Sequence, residues 1–471
     1  MTRRVLRTTP PLSDAFDAIR AELGIEEAFG AAALEEAAAA AAAGPGGERP
    51  RSELPFVTID PPGSRDLDQA LHVARRPAGG GYRVSYAIAD LAAFVRPGGA
   101  LDAAVWARGV TMYAPDRATP LHPPVLSEGA ASLLEGDDRP AVLWTLDLDA
   151  DGAQTAVDVR RAVVRSTARL DYAGVQAQLD AGTAPEVLVL LAEVGRLREA
   201  QERARGGVSL PQPQQEVVPA DGGEWQVAYR ASLPVEGFNA QVSLLTGMAA
   251  ADLMLAAGAG VLRTLPPPDE RALDRLRRTA AALGVAWPDG ASYPEFIRSL
   301  DPAVPAHAAV LQEATGVMRG AGYVAFDGER PAQARHGAIA DEYAHVTAPL
   351  RRLADRYALE CALAAAAGTA PPAWVRERLD ALPEAMMAAD RRASGLERAA
   401  IDLVEAALLE HRVGQVFEAV VVDDGSVQVA DPAVRARCDG DPPVGERVRV
   451  RLARADVAAR TVRFTYEGRS P

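Results

Sequence analysis

A chain of 471 residues exceeds one ordinary hydrophobic core, so its 48% hydrophobic and 24% charged residues have to be shared among two or three domains. A net charge of −14 argues against a generic nucleic-acid binder with a basic excess, but it leaves room for an enzyme with one local basic channel. Cys361 and Cys438 are the only cysteines, too few and too far apart for a disulfide framework or a CxxC zinc site.

No lysine occurs, so every basic contact falls to a charged histidine or to arginine, the better bidentate phosphate ligand. Arginine-biased codons are the simpler reason. No apolar run reads as long enough to span a bilayer, and no apolar core follows the basic residues of "MTRRVLRTTPPLSD" as it would in a secretory signal. The expectation is a cytoplasmic, monomeric protein with no membrane segment.

Residues 12 to 43 read as helix, with Leu12, Phe16, Ile19 and Leu23 at helical spacing. The breakers from Gly44 to Pro50 read as a linker. From Leu54 the pattern turns to strands: "LPFVTID", "QALHVARR" and "YRVSYAIADLAAFV", with "PAGGG" as a hairpin loop. "AVLWTLDLDADGAQTAVDVRRAVVRS" reads as a second hairpin with Asp151-Gly152 near its tip. Helices then dominate, including the strongly apolar "GFNAQVSLLTGMAAADLMLAAGAG". The last sixty or so residues alternate in short strands and suit a five-stranded OB barrel. The fold class is α+β. The expected domains are a helical segment and linker over 1–50, a catalytic domain over 51–410 and a barrel over 411–471.

Two stretches carry chemistry. In "TIDPPGSRDLDQA", Asp60 closes a strand-like run, and Asp66 and Asp68 follow a turn built by Pro61, Pro62 and Gly63. Alternate residues of an extended segment point the same way, so Asp66 and Asp68 converge. Converging carboxylates suit a hard cation, magnesium or manganese, and a phosphodiester as substrate. The plainer reading is a solvated acidic loop. In "YAHVTAPLRRLADR", Thr347 reads as a helix cap with Pro349 in the first turn, which sets Arg351 and Arg352 near a helix N-terminus. Cations there call for a shared anion such as phosphate, or for ion pairs with Asp341, Glu342 or Asp355. His345 and His72 read as packed histidines, and Tyr113 as a core or rim residue that is also placed to stack on a base.

Together these blocks resemble the RNase II and RNase R exoribonucleases with their RNB catalytic domain, whose pattern T-I-D, five residues, D-x-D-D appears here as "TIDPPGSRDLDQ". The resemblance extends from residue 54 to about 370 through a Tyr-x-Pro element, an L-S-x-G-x-x-S-L element, "VEGFNAQVSLLTGMAAA" and "HGAIADEYAHVTAPLRRLADR". It implies an RNB-type mixed sheet with surrounding helices around a narrow channel. The implied activity is magnesium-dependent 3′-to-5′ hydrolysis of single-stranded RNA to nucleoside 5′-monophosphates. By position it implies Asp68 and Arg351 as catalytic, Asp60, Asp66, Asp68 and Gln69 as the metal site, and Tyr113, Glu236, His345 and Arg352 as RNA contacts.

Three positions depart from the family. Gln69 replaces the fourth aspartate and is expected to weaken metal binding, so that activity needs elevated magnesium or prefers manganese. Ala348 replaces a serine, and Leu210 stands where relatives set a large residue against RNA. The helical segment takes the place of a cold-shock domain pair. Arg435, Arg437, Arg447, Arg449 and Arg451 are expected to give the final barrel a basic face. The alternative is a catalytically impaired RNA-binding protein, with Gln69 as the trace of lost chemistry.

Overall fold

The alternating segments after Leu54 form strands Phe56–Asp60, Gln69–Arg75, Tyr82–Ala89, Asp138–Leu148 and Gln154–Asp171, which close into a barrel. The computed structural model describes residues 12–77, 80–210, 214–220, 224–230 and 232–470. The hairpin loop expected at "PAGGG" falls partly outside them, at residues 78 and 79, but Arg75 pairs Tyr82 as a hairpin requires. Tyr86 lies opposite Trp144 across the antiparallel ladder, and both are fully buried. The first strand then pairs in parallel with the last, Asp60 against Asp171. That long-range pairing turns the expected mixed sheet into a closed barrel. Local alternation carries no signal for it.

Helix Pro234–Ala257 packs against helices Glu186–Arg205 and Leu353–Ala366. It is long and apolar enough to cross a membrane by length and composition, which corrects the reading that no such run exists. More than half of its most apolar stretch is buried inside the protein. Where it meets the segment before Leu353, Gly247 is required: a Cβ there would overlap the Tyr343 ring and the Ala344 carbonyl oxygen.

The final strands, from Val416–Asp423 to Thr461–Arg469, close a second five-stranded barrel with its own core around Val421, Val448, Val450 and Phe464. Two arginines of its expected basic face are paired with acids, and a third bonds a carbonyl. Arg451 meets Glu467 at 2.7 Å, Arg435 meets Asp423 at 2.9 Å, and Arg437 donates to the Asp424 carbonyl. The N-terminal segment is two helices, Ser13–Glu22 and Ala31–Ala43, rather than one. Gly24, with φ of +62°, ends the first, and Gly30 in extended conformation precedes the second.

Candidate catalytic centre

The first strand of the catalytic barrel ends at Asp60, and the chain turns through Pro61–Gly63, where Gly63 has φ of +87°. The extended segment that follows is pinned from behind by Ser132. The Ser132 hydroxyl accepts from the Leu67 N–H at 2.9 Å and donates to the Arg65 carbonyl at 2.6 Å. Asp68 is thereby driven inward and is 1% exposed, while Asp66 remains partly exposed.

Arg351 arrives from the far side of the sequence. Its Nε donates to Asp68 Oδ2 at 2.7 Å, and the Leu350 N–H donates to Asp68 Oδ1 at 2.7 Å. Burial drives the Asp68 carboxyl up to about 7, against the opposing pull of the Arg351 charge and these two donors. The Arg351 side chain stays 39% exposed, so its outer edge is open to an incoming anion.

The arginines do not sit in a helix. The helix begins at Leu353, and residues 347–352 form a turn closed by the Arg351 and Arg352 N–H groups on the Ala348 carbonyl. Thr347 is therefore not the cap. Arg352 donates through Nε and Nη2 to the buried Asp355, at 2.9 and 3.0 Å, and Asp355 also takes the Ala348 N–H at 2.7 Å. Arg352 is thus the fastener of the turn that presents Arg351. Asp355 is the residue the sequence reading undervalued, although Arg352 and Asp355 at i, i+3 gave a signal.

Behind the turn stands His122, 1% exposed, its Nδ1 3.1 Å from the Leu350 carbonyl. That partner can only accept, so the ring carries its proton on Nδ1. Burial lowers the His122 pKa to about 4, so the ring is neutral. No motif drew attention to this histidine.

Asp60 and Asp66 lie within electrostatic reach of one another. Burial pushes Asp60 up to about 6, Arg351 opposes that shift, and Asp66 adds to it. Neither carboxylate accepts a hydrogen bond from a described residue. With Asp68 matched by Arg351, two unpaired carboxylates remain, a hard-oxygen set of two negative charges that fits one dication. Among the described residues, no three acidic, histidine or cysteine side chains gather closely enough to hold a metal by themselves.

Gln69 is engaged elsewhere. Its Nε2 donates to the Thr347 carbonyl at 2.5 Å, and its Oε1 accepts from the Tyr86 hydroxyl at 2.5 Å. Tyr86 is in turn 2.8 Å from Ser243 on helix Pro234–Ala257. The oxygen expected as a fourth metal ligand is committed to a tether between strand, arginine turn and helix.

Tyr113 is 54% exposed and stands within reach of the Arg351 charge, at the edge of a cleft of about 870 Å³. Thr111, Arg263, Tyr323, Arg391 and Arg398 share the lining. Glu236 holds the N-terminus of its helix through the Leu233 N–H and pairs with Arg230, both through Oε1. Tyr172 lies within electrostatic reach of both Glu236 and Asp60. His345 corrects its expected role as an RNA contact. Its Nδ1 is 2.7 Å from the Tyr323 hydroxyl, its ring is edge-on to Tyr323 and Tyr343, and burial lowers its pKa well below the usual value. Leu210 packs on the core of the helices between 270 and 314.

Comparison with known proteins identifies the family and the fold. The RNB domain family matches residues 49–364, and the RNase II-type exonuclease C-terminal S1 domain matches residues 415–467. Ribonuclease R of Escherichia coli is 29% identical over 78% of this chain and 48% of its own length. The Arabidopsis thaliana exosome complex exonuclease RRP44 homolog A is 31% identical over 64% of this chain and 34% of its own length. The chain thus spans about half or less of the curated relatives it matches. Mycoplasma genitalium RNase R in complex with ribose-methylated single-stranded RNA superposes with a TM-score of 0.86 at 18% identity, over 99% of this chain and 79% of the other. The chain belongs to the RNB family, with an RNB domain followed by an RNase II-type C-terminal S1 domain.

Proposed function

We propose that this protein is a 3′-to-5′ exoribonuclease that hydrolyses single-stranded RNA to nucleoside 5′-monophosphates with magnesium or, in its place, manganese. The observation that carries the reading is the assembled centre: Asp68 and Arg351 joined at 2.7 Å beside the unpaired Asp60 and Asp66. Family membership supplies the reaction class.

Asp60 and Asp66 would hold the dication. When bound, it supplies positive charge against the scissile phosphate, which in-line displacement needs. Asp68, itself held by the Leu350 N–H, fixes Arg351, which turns its exposed edge toward developing phosphate charge. A pre-oriented donor of this kind requires no reorganisation at the moment of reaction. Tyr113 flanks the terminal nucleotide. Gln69 and Arg352 hold the turn that carries Arg351. The bonds from Gln69 to Thr347 and Tyr86 support reading it as a tether; the alternative, a catalytically impaired RNA-binding protein, predicts no cleavage at any magnesium or manganese concentration.

The test is a chelator series. EDTA is expected to stop cleavage of a 5′-labelled single strand while leaving the thermal midpoint within about 2 °C, since no structural metal cluster is present among the described residues. Cleavage that persists at full rate in EDTA would remove the metal from the mechanism.

A further inference from the structure

The N-terminal segment sets a cluster of ion pairs on one small target, the hairpin that carries Tyr113. That hairpin pairs Met112 with Thr119 and Tyr113 with Ala118, and its turn holds Asp116 and Arg117. Arg117 binds Glu27 on both carboxylate oxygens, at 2.7 and 2.8 Å, and also binds Asp17. Arg20 reaches the same turn, pairing with Asp116. Exposed ion pairs contribute little singly. Arg20, however, is 1% exposed, and a cation buried that deeply at a contact between two segments requires its partners to stay in place.

The hairpin is tied to the catalytic turn on its other side. The Thr111 N–H donates to the Arg351 carbonyl at 2.9 Å, and the Leu353 N–H donates to the Gly109 carbonyl at 2.9 Å. Arg351 and Tyr113 are therefore held on one short ladder whose outer end is gripped by the first N-terminal helix and the loop that follows it. The same segment reaches the final barrel, where Arg460 donates to Glu22 at 2.6 Å.

We infer that Asp17, Arg20 and Glu27 are positioning residues for the reaction: through Asp116 and Arg117 they fix the Tyr113 hairpin, and with it the seat of the RNA 3′-terminal nucleotide. The inference rests on the proposed RNA substrate and goes beyond it, because it assigns work to a segment outside the matched RNB domain.

The test is the neutral, isosteric double variant Asp17→Asn/Glu27→Gln in the full chain, in wild-type and Tyr113→Ala backgrounds. Hydrogen exchange is read first, with no RNA present. Amides 112–119 are expected to exchange about tenfold faster while the barrel strands keep their protection. Cleavage of a 5′-labelled oligoadenylate is then expected to need about fivefold more RNA for half-maximal rate, with kcat little changed. In the Tyr113→Ala background that increase should shrink to less than about 1.5-fold, because residues acting through one partner are not additive. Unchanged exchange in the hairpin, or an equal loss in both backgrounds, overturns the inference. If wild type cleaves no RNA, the proposed function fails, and the exchange comparison still decides whether the segment holds the hairpin.

Discussion

Asp68 and Arg351, 283 positions apart in sequence, meet at 2.7 Å with the carboxylate buried and the guanidinium open on one side. The asymmetry assigns their roles. A fully buried pair would be an element of the core, and a fully exposed pair would be screened by solvent. Here the buried partner orients the exposed one.

Arg351→Ala is expected to lower the single-turnover rate roughly 10³-fold while RNA affinity falls less than about fivefold, because a donor aimed at developing charge acts in the transition state. Arg351→Lys should recover little, since an ammonium cannot hold Asp68 and present a planar fork at once. Rate measurements paired with filter binding check this. Equal, modest losses in rate and affinity would make Arg351 an ordinary phosphate contact.

Gln69→Asp discriminates a ligand from a tether. A ligand role predicts a lower magnesium concentration for half-maximal rate. The tether predicts the opposite kind of result: an aspartate would face the Thr347 carbonyl with an acceptor instead of a donor, costing about 1–3 kcal/mol at that contact. The rate should fall about tenfold or more with the metal requirement unchanged. A metal titration of both proteins decides the matter.

The strands, the long helices and the final barrel were legible because periodicity and turn residues are local. The carboxylate and arginine stretches were legible because their spacing is unusual and their combination resembles one family. What stayed hidden depended on distant contacts. Barrel closure needs Asp60 against Asp171, and Gln69 looked like a ligand until Thr347 and Tyr86 were seen beside it. The turn at 347–352 imitates a helix start in sequence, and only Asp355, occupied by Arg352 and the Ala348 N–H, shows why the helix waits until Leu353. His345 carried a family role in the sequence, but Tyr323 and Tyr343 pack edge-on against its ring, and burial together with the charges of Arg352 and Arg263 holds it uncharged.

His122 makes the fold acid-sensitive. Its folded pKa, about 4, lies below the ordinary 6.5, so between those values the unfolded chain binds the extra proton. Stability therefore rises with pH across that window and is lost as pH falls from about 6.5 to 4, by up to roughly 3 kcal/mol from this residue. His122→Asn keeps a donor for Leu350 but cannot titrate, so it should flatten part of the slope. Urea midpoints at pH 5 and pH 7 check it, and an unchanged slope in the variant would contradict the assignment.

Gly247→Ala should destabilise the protein by about 1–3 kcal/mol, because the added methyl meets the Tyr343 ring and a backbone oxygen in a packed interior. Chemical denaturation reads the cost. A neutral outcome would mean that the Tyr343 segment shifts freely, and the adjoining turn that carries Arg351 would then be less rigid than described.

The most direct test of the account is the product pattern from a 5′-labelled single-stranded RNA and a circular RNA, each incubated with magnesium and wild type or Asp68→Asn. The account predicts that wild type shortens the linear strand from its 3′ end with release of nucleoside 5′-monophosphates and leaves the circle intact, while Asp68→Asn binds the strand and does not shorten it. Cuts within the circle, or a linear strand left whole at every magnesium and manganese concentration, would contradict it.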